Sequence, residues 1–194
     1  EGLGIGESPV SAAQLGGLEL RHAGGAVQLR GTFPYATEAE LAPGRAETFA
    51  PRAFAGRLEG TGDIHLLIGH DWGKPLASRA AGTLTLRDTP EALELVAEIA
   101  PDLRAAPYVR DFLAASAAGL VRGLSPGFRV QPGGERIEAR GNGLLRTVTG
   151  ADLFELSAVT RPAYGAAQVE ARSWAAGRDA PDSGLVRALQ RWRA

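Results

Sequence analysis

Two segments near the middle of the chain repeat with a period of two residues, and this period limits the folds that the chain can adopt. Residues 82–87 (GTLTLR) and 93–99 (LELVAEI) place apolar or small side chains at every second position. That spacing is typical of β-strands that bury one face, so we predict two antiparallel strands joined near residues 88–90. The chain also contains 26 Gly and 12 Pro residues, which favours short elements joined by turns. We therefore predict an all-β or α+β domain.

The rest of the chain divides into one folded unit and two peripheral segments. A length of 194 residues suits one domain with a single buried core. We predict a flexible leader at residues 1–16, the domain at 17–174, and a linker with a short amphipathic C-terminal helix at 175–194. Within the domain, the residue patterns predict a hairpin around residues 24–25, a buried strand at 63–69, one helix from 107 to about 119, an exposed loop or ragged hairpin at 131–143, and a final pair of strands at 144–148 and 153–160.

Charge and cysteine content argue against several classes of function. The formal net charge of −1 and the pI of about 6.4 provide no basic field for phosphates, so we expect no nucleic-acid partner. The absence of cysteine excludes disulfides, thiolate nucleophiles and cysteine-based zinc sites. No apolar run approaches the roughly 18 to 20 residues of a membrane span, so we expect no membrane partner and a cytoplasmic location.

Histidine-dependent chemistry has only three candidate residues, His22, His65 and His70. His70 follows a short apolar strand at the point where a polar turn begins, and such rigidly mounted positions suit catalytic groups as well as ordinary turn residues. We interpret His65 as a structural residue of that strand and His22 as a polar residue on the outer face of the first hairpin. His70 is therefore the candidate general base.

Ser125 lies in the sequence Gly123-Leu124-Ser125-Pro126-Gly127, which matches the G-x-S-x-G pattern of α/β-hydrolases. Two features argue against that class. The amide after the nucleophile donates to the oxyanion in those enzymes, and Pro126 has no N–H. Their histidine also follows the serine, whereas this chain has no histidine after His70. A triad is defined by geometry and not by chain order, so a pairing of His70 with Ser125 remains chemically sound.

Two acids later in the chain are candidates to orient the histidine. Asp152 and Glu155 interrupt an otherwise apolar predicted strand, where a carboxylate needs a partner unless it faces water. Strand alternation places them on opposite faces, so both cannot contact one imidazole from a regular strand. The residue pattern alone leaves the choice between them open.

Three short blocks together resemble the tailed-phage prohead protease family. In chain order they are GHD with PL at residues 69–71 and 75–76, GLSPGF at 123–128, and DLFELSAVTRPA at 152–163. The resemblance spans about residues 31–169 and includes a proline-then-phenylalanine stretch at 51–54. Each block alone is a weak signal, but three in order form a specific one. The resemblance implies a mainly β fold with flanking helices (α+β), a β-barrel like that of the herpesvirus assemblin protease.

The resemblance also implies residue roles, with Ser125 as nucleophile and His70 as general base. The herpesvirus enzymes use a second histidine as the third member, but this chain has none in that block. The phage family places an acid there, so Glu155 takes the role by position, with Asp152 as the alternate. Arg161 lies where the herpesvirus enzymes carry an arginine-containing loop, which implies that it stabilises the oxyanion.

The implied activity is endoproteolysis during prohead maturation. The expected partners and substrates are the major capsid protein with its scaffold segment and the protease itself, inside the immature capsid in the bacterial cytoplasm. The family analogy further suggests a homodimer, and we expect no metal or other cofactor. The alternative is a noncatalytic capsid-assembly scaffold or capsid-binding module with the same fold. The presence of both His70 and Ser125 favours the protease.

Overall fold

The computed structural model describes residues 17–23 and 26–160. Within these ranges the chain forms mainly β-strands, with two α-helices and one 3-10 turn. In chain order the elements are β1 Gly17–Ala23, β2 Ala26–Pro34, β3 Ala39–Ala42, β4 Arg45–Phe49, α1 Ala55–Glu59, β5 His65–Ile68, β6 Asp71–Ser78, β7 Leu84–Asp88, β8 Ala92–Ile99, the 3-10 turn Asp102–Ala105, α2 Pro107–Ala117, β9 Gly123–Val130, β10 Glu135–Arg140, β11 Gly143–Val148 and β12 Ala151–Val159.

The described strands form one large and one small sheet. The eight-stranded sheet has the order β6-β5-β12-β9-β1-β2-β8-β7, and the four-stranded sheet has the order β10-β11-β4-β3. Most neighbours are antiparallel, but β12 runs parallel to β5 and β11 runs parallel to β4. The predicted mainly β architecture with few helices is confirmed. The closed barrel is not, because no pairing within the described residues joins the outer strands β6 and β7.

Several predicted elements are present. The period-two segments form the antiparallel pair β7 and β8, and the first hairpin pairs β1 with β2. Helix α2 begins at Pro107, buries Val109 and Phe112, and is followed by Gly119 with a φ of +73°. The polar stretch predicted as a loop or ragged hairpin becomes the hairpin of β10 and β11. The leader, the linker and the C-terminal helix lie outside the described residues.

The final two predicted strands form but do not pair with each other. Strand β11 lies between β10 and β4, whereas β12 lies between β5 and β9 in the other sheet. The two strands differ in burial, because most side chains of β12 are buried on both of its faces, as expected of a strand in the middle of a covered sheet, whereas most side chains of β11 are only partly buried. Helix α1 was not predicted. No described helix has the length and apolar character needed to cross a bilayer.

Aromatic side chains from separate elements pack together in the core beside the second block of the family resemblance. Phe54, which ends the proline-then-phenylalanine stretch, has no exposed surface and contacts Phe33, Phe49 and Phe128 with ring centroids 6.1, 5.3 and 6.0 Å apart. Tilted and edge-on aromatic pairs of this kind stabilise a core beyond the area they bury. Phe128 belongs to β9, so this cluster anchors the strand that carries Ser125.

Candidate active site

His70 lies in a two-residue turn between β5 and β6. Gly69 and His70 connect Ile68 to its pairing partner Asp71, and both have a φ of +61°. A type I′ hairpin turn requires positive φ at both central positions, which glycine adopts readily and histidine does not. The neighbouring strand β12 holds this conformation, because the Gly69 N–H donates to the Ala158 carbonyl at 3.0 Å. The histidine backbone is thus fixed at the rim of three adjacent strands.

Ser125 lies on β9 beside the same turn. Its Oγ is 3.1 Å from Nε2 of His70, and it pairs in register with Ser157 of β12. Pro126 pairs with Leu156 of β12, and on its other side β1 pairs with β9 at Gly123 but not at Pro126 within the described residues, so β1 does not need the missing N–H there. Ser125 has no exposed surface, and the His70 side chain is 25% exposed. The imidazole therefore contacts both the serine and solvent.

Glu155 approaches the opposite edge of the imidazole from β12. Its Oε1 lies 2.6 Å from Nδ1 of His70, while its Oε2 accepts a hydrogen bond from the Ser157 hydroxyl at 2.6 Å. The carboxylate is almost completely buried. Space for it is created by Gly127, its partner on β9, where a Cβ would lie 1.9 Å from Oε1. A buried carboxylate requires partners of this kind, and here both oxygens have one.

Asp152 does not contact His70. It accepts a hydrogen bond from Gln131 at 2.9 Å and lies 3.5 Å from the Arg129 guanidinium. A bulge between Leu153 and Glu155 separates the two acids along β12. The structure therefore brings together His70, Ser125 and Glu155, and it leaves the alternate acid at a different, partly exposed place.

The other sequence candidates lie elsewhere. His65 contacts Asp63 at 3.4 Å and packs edge-on against Trp72 with centroids 5.3 Å apart, so its ring is used in a local contact. His22 is in β1, but its side chain is outside the described residues, as is Arg161. Among the described residues, no three His, Cys, Asp or Glu side chains form a cluster that could hold a metal ion.

The sequence did not lead us to two residues of the site, Gly127 and Ser157. Gly127 was identified only as part of the Ser125 motif, because the space it leaves for the Glu155 carboxylate is visible only once β9 and β12 are paired. Ser157 follows Glu155 by two residues, so strand alternation alone placed its hydroxyl on the same face as the carboxylate. That spacing was the available signal for Ser157.

Comparison of the chain with known proteins gives a family but no individual relative. No curated protein matches the chain, and no solved structure matches it. The family model described as caudovirus prohead serine protease matches residues 26–179, well over half of the 194 residues. This range includes all three residues of the cluster. The chain therefore belongs to the caudovirus prohead serine protease family.

Proposed function

We propose that this chain is a serine endopeptidase in which Ser125 is the nucleophile, His70 the general base and Glu155 the acid that orients the histidine. The observation that carries the proposal is one continuous series of contacts. Glu155 Oε1 lies 2.6 Å from Nδ1 of His70, and Nε2 of the same ring lies 3.1 Å from Ser125 Oγ. A nucleophile within hydrogen-bond reach of a base, itself held by a third group, is the arrangement that activates a serine hydroxyl.

Acylation uses the two ring nitrogens in different ways. Ser125 Oγ bonds to the scissile carbonyl carbon while its proton moves to Nε2 of His70, and the carbonyl π electrons move onto oxygen to give a tetrahedral oxyanion. The Glu155 carboxylate at Nδ1 stabilises the imidazolium that forms. His70 then gives the proton to the leaving amine as the C–N bond breaks, which leaves an acyl ester on Ser125.

Deacylation repeats the sequence with water. Water loses a proton to Nε2 and bonds to the acyl carbon, and the proton returns to Ser125 Oγ as the C–O bond of the ester breaks. We assign oxyanion stabilisation to Arg161, following the family resemblance, because Pro126 lacks the N–H that would otherwise donate from the residue after the nucleophile. Since Ser125 has no exposed surface, the site must open around Oγ before a peptide carbonyl can reach it.

The family assignment supports a role and a location for this chemistry. The substrates we propose are the scaffold segment of the major capsid protein and the protease itself, cleaved inside the immature capsid in the host cytoplasm. We also propose a homodimer and a sheet that curls toward the barrel of the herpesvirus assemblin protease. The outer strands β6 and β7 lie at opposite edges of the sheet but are joined by the short connection 79–83, which supports that curl. At this connection the Thr83 N–H donates to the Ser78 carbonyl at 3.1 Å.

Coexpression with the major capsid protein of the same phage or prophage tests the proposal. We expect the capsid protein to lose its scaffold segment, as read by intact mass, with the wild-type chain and not with Ser125→Ala. His70→Ala should be about as inactive, and the double variant little worse than either, because triad members act as a unit. Normal processing by folded Ser125→Ala refutes the assignment. Assembly supported equally by all variants, with no cleavage, indicates the noncatalytic scaffold instead.

A further inference from the structure

Ser157 is a completely buried serine that contacts two members of the proposed triad at once. Its Oγ accepts a hydrogen bond from the His70 backbone N–H at 2.9 Å and donates one to Glu155 Oε2 at 2.6 Å. Glu155 Oε1 in turn lies 2.6 Å from Nδ1 of the same histidine. These contacts form a closed cycle of hydrogen bonds from the His70 backbone N–H through Ser157 and Glu155 to the His70 side chain.

The direction of every hydrogen bond in this cycle follows from one group that can only donate, the His70 backbone N–H, and one that can only accept, the Glu155 carboxylate. A backbone N–H can only donate, so the Ser157 oxygen accepts from His70 and its single hydrogen points to Glu155 Oε2. A carboxylate has no hydrogen to donate, so both of its oxygens accept, Oε2 from the Ser157 hydroxyl and Oε1 from Nδ1. A neutral imidazole with its hydrogen on Nδ1 has a free lone pair on Nε2. Nε2 is therefore left as the acceptor for the Ser125 hydroxyl.

We propose that Ser157 is a positioning residue that sets the tautomer of His70 by holding the Glu155 carboxylate where Oε1 accepts from Nδ1. The proposal rests on the function proposed above for Ser125, His70 and Glu155. Ser157 touches no substrate and acts on the imidazole through Glu155. It also holds the histidine in its left-handed conformation, at a φ of +61°, which a side chain larger than glycine rarely adopts.

A merely structural serine would have a different effect from a positioning one. Loss of a structural hydroxyl lowers stability and leaves the chemistry of the folded enzyme unchanged. Loss of a positioning hydroxyl frees Glu155 Oε2 and the His70 N–H, so the carboxylate can rotate and the imidazole can place its hydrogen on Nε2. That second tautomer cannot accept the Ser125 proton, so the rate of the chemical step falls in enzyme that is still folded.

Ser157→Ala tests the proposal through the reaction of Ser125 with a fluorophosphonate probe. In that reaction Ser125 Oγ bonds to phosphorus, fluoride leaves, and His70 takes the serine proton. We expect the limiting labelling rate to fall about 10- to 100-fold, the loss typical when the hydrogen-bond partner that orients a metal-binding side chain is removed, with little change in probe affinity. Ser157→Cys, which keeps a weak donor of similar size, should retain intermediate reactivity.

Two further readouts separate positioning from stability. The ¹⁵N chemical shifts of the His70 ring, at a pH that keeps it neutral, should report hydrogen on Nδ1 in the wild type and on both nitrogens in Ser157→Ala. In a Glu155→Ala background, Ser157→Ala should have almost no further effect on labelling, because the group it orients is gone. Ser116→Ala is the matched control, since Ser116 Oγ on α2 is buried without a partner among the described residues, and its labelling rate should equal that of the wild type.

The outcomes distinguish the proposed role of Ser157 from the proposed function of Ser125, His70 and Glu155. Wild-type labelling with folded Ser157→Ala, or a rate loss with an unchanged tautomer, overturns the role of Ser157. An equal loss in the Glu155→Ala background overturns it as well, because the serine would then act independently of the acid. Failure of the wild-type chain to be labelled on Ser125, with capsid processing intact in Ser125→Ala, instead overturns the proposed function itself.

Discussion

Gly127→Ala should inactivate the enzyme without touching any member of the proposed triad. A Cβ at this position would lie 1.9 Å from Oε1, 2.7 Å from Cδ and 2.9 Å from Cγ of Glu155. All three distances are shorter than any van der Waals contact, so alanine and the carboxylate cannot occupy their places together. The site is buried and strand pairing holds both backbones, so the Glu155 side chain is the group that must move. Its contact with His70 at 2.6 Å is then lost.

This change should have two measurable effects. Overpacking a buried site costs about 1–3 kcal/mol of the free energy of unfolding, which urea denaturation measures. Removing the orienting carboxylate should lower the labelling rate of Ser125 by about 10⁴-fold, the size of loss seen when a triad acid is removed or neutralised. Gly56→Ala is the matched control, because the nearest atom to its added Cβ is 3.7 Å away and the residue lies in helix α1. It should keep full activity and gain about 0.4–1 kcal/mol of stability.

The clash also predicts a coupling between two substitutions. In a Glu155→Ala background the obstructing atoms are absent, so Gly127→Ala should cost little further stability and little further activity. A folded Gly127→Ala variant that is labelled at the wild-type rate refutes the reasoning. Strictly additive losses in the double variant refute it too, because they place the effect of Gly127 outside its contact with Glu155.

Three further predictions test other parts of the account. Glu155→Gln should lower the Ser125 labelling rate by about 10⁴-fold, while Asp152→Asn stays near wild type, and the reverse result moves the orienting role to Asp152. Gly69→Ala should lower the free energy of unfolding by about 1–2 kcal/mol because of its φ of +61°, and unchanged stability in urea contradicts the turn geometry. Burial, and then the hydrogen bond to Asp88, raise the pKa of Tyr35, so stability should be complete below the unfolded-state pKa of about 10 and fall by about 1.4 kcal/mol per pH unit above it. Tyr35→Phe should lack this fall, and an identical alkaline profile for both proteins contradicts the prediction.

The local elements of the fold could be predicted because each depends on nearby residues. The period of two in β7 and β8 and the proline at the start of α2 are signals contained in a few consecutive positions. The partners of the strands depend on distant residues instead. The sequence contains no local sign that β12 runs parallel to β5, or that β11 and β12 separate into different sheets.

The candidate site shows the same division. His70 and Ser125 could be singled out from their motifs, but their meeting depends on the strand order β5-β12-β9, which brings three distant segments side by side. The choice between the acids was open in the residue pattern, and the bulge between Leu153 and Glu155 lies in the strand that carries both. The room that Gly127 leaves for the carboxylate arises only from pairing.

The labelled residue itself provides the most direct test of the central claim that Ser125 is a nucleophile activated by His70. The wild-type chain is treated with a fluorophosphonate, digested, and the modified peptide is sequenced by mass spectrometry. We expect one adduct, on Ser125, that disappears in His70→Ala while circular dichroism shows the fold retained. An adduct on another serine, or equal labelling of Ser125 in His70→Ala, would contradict it.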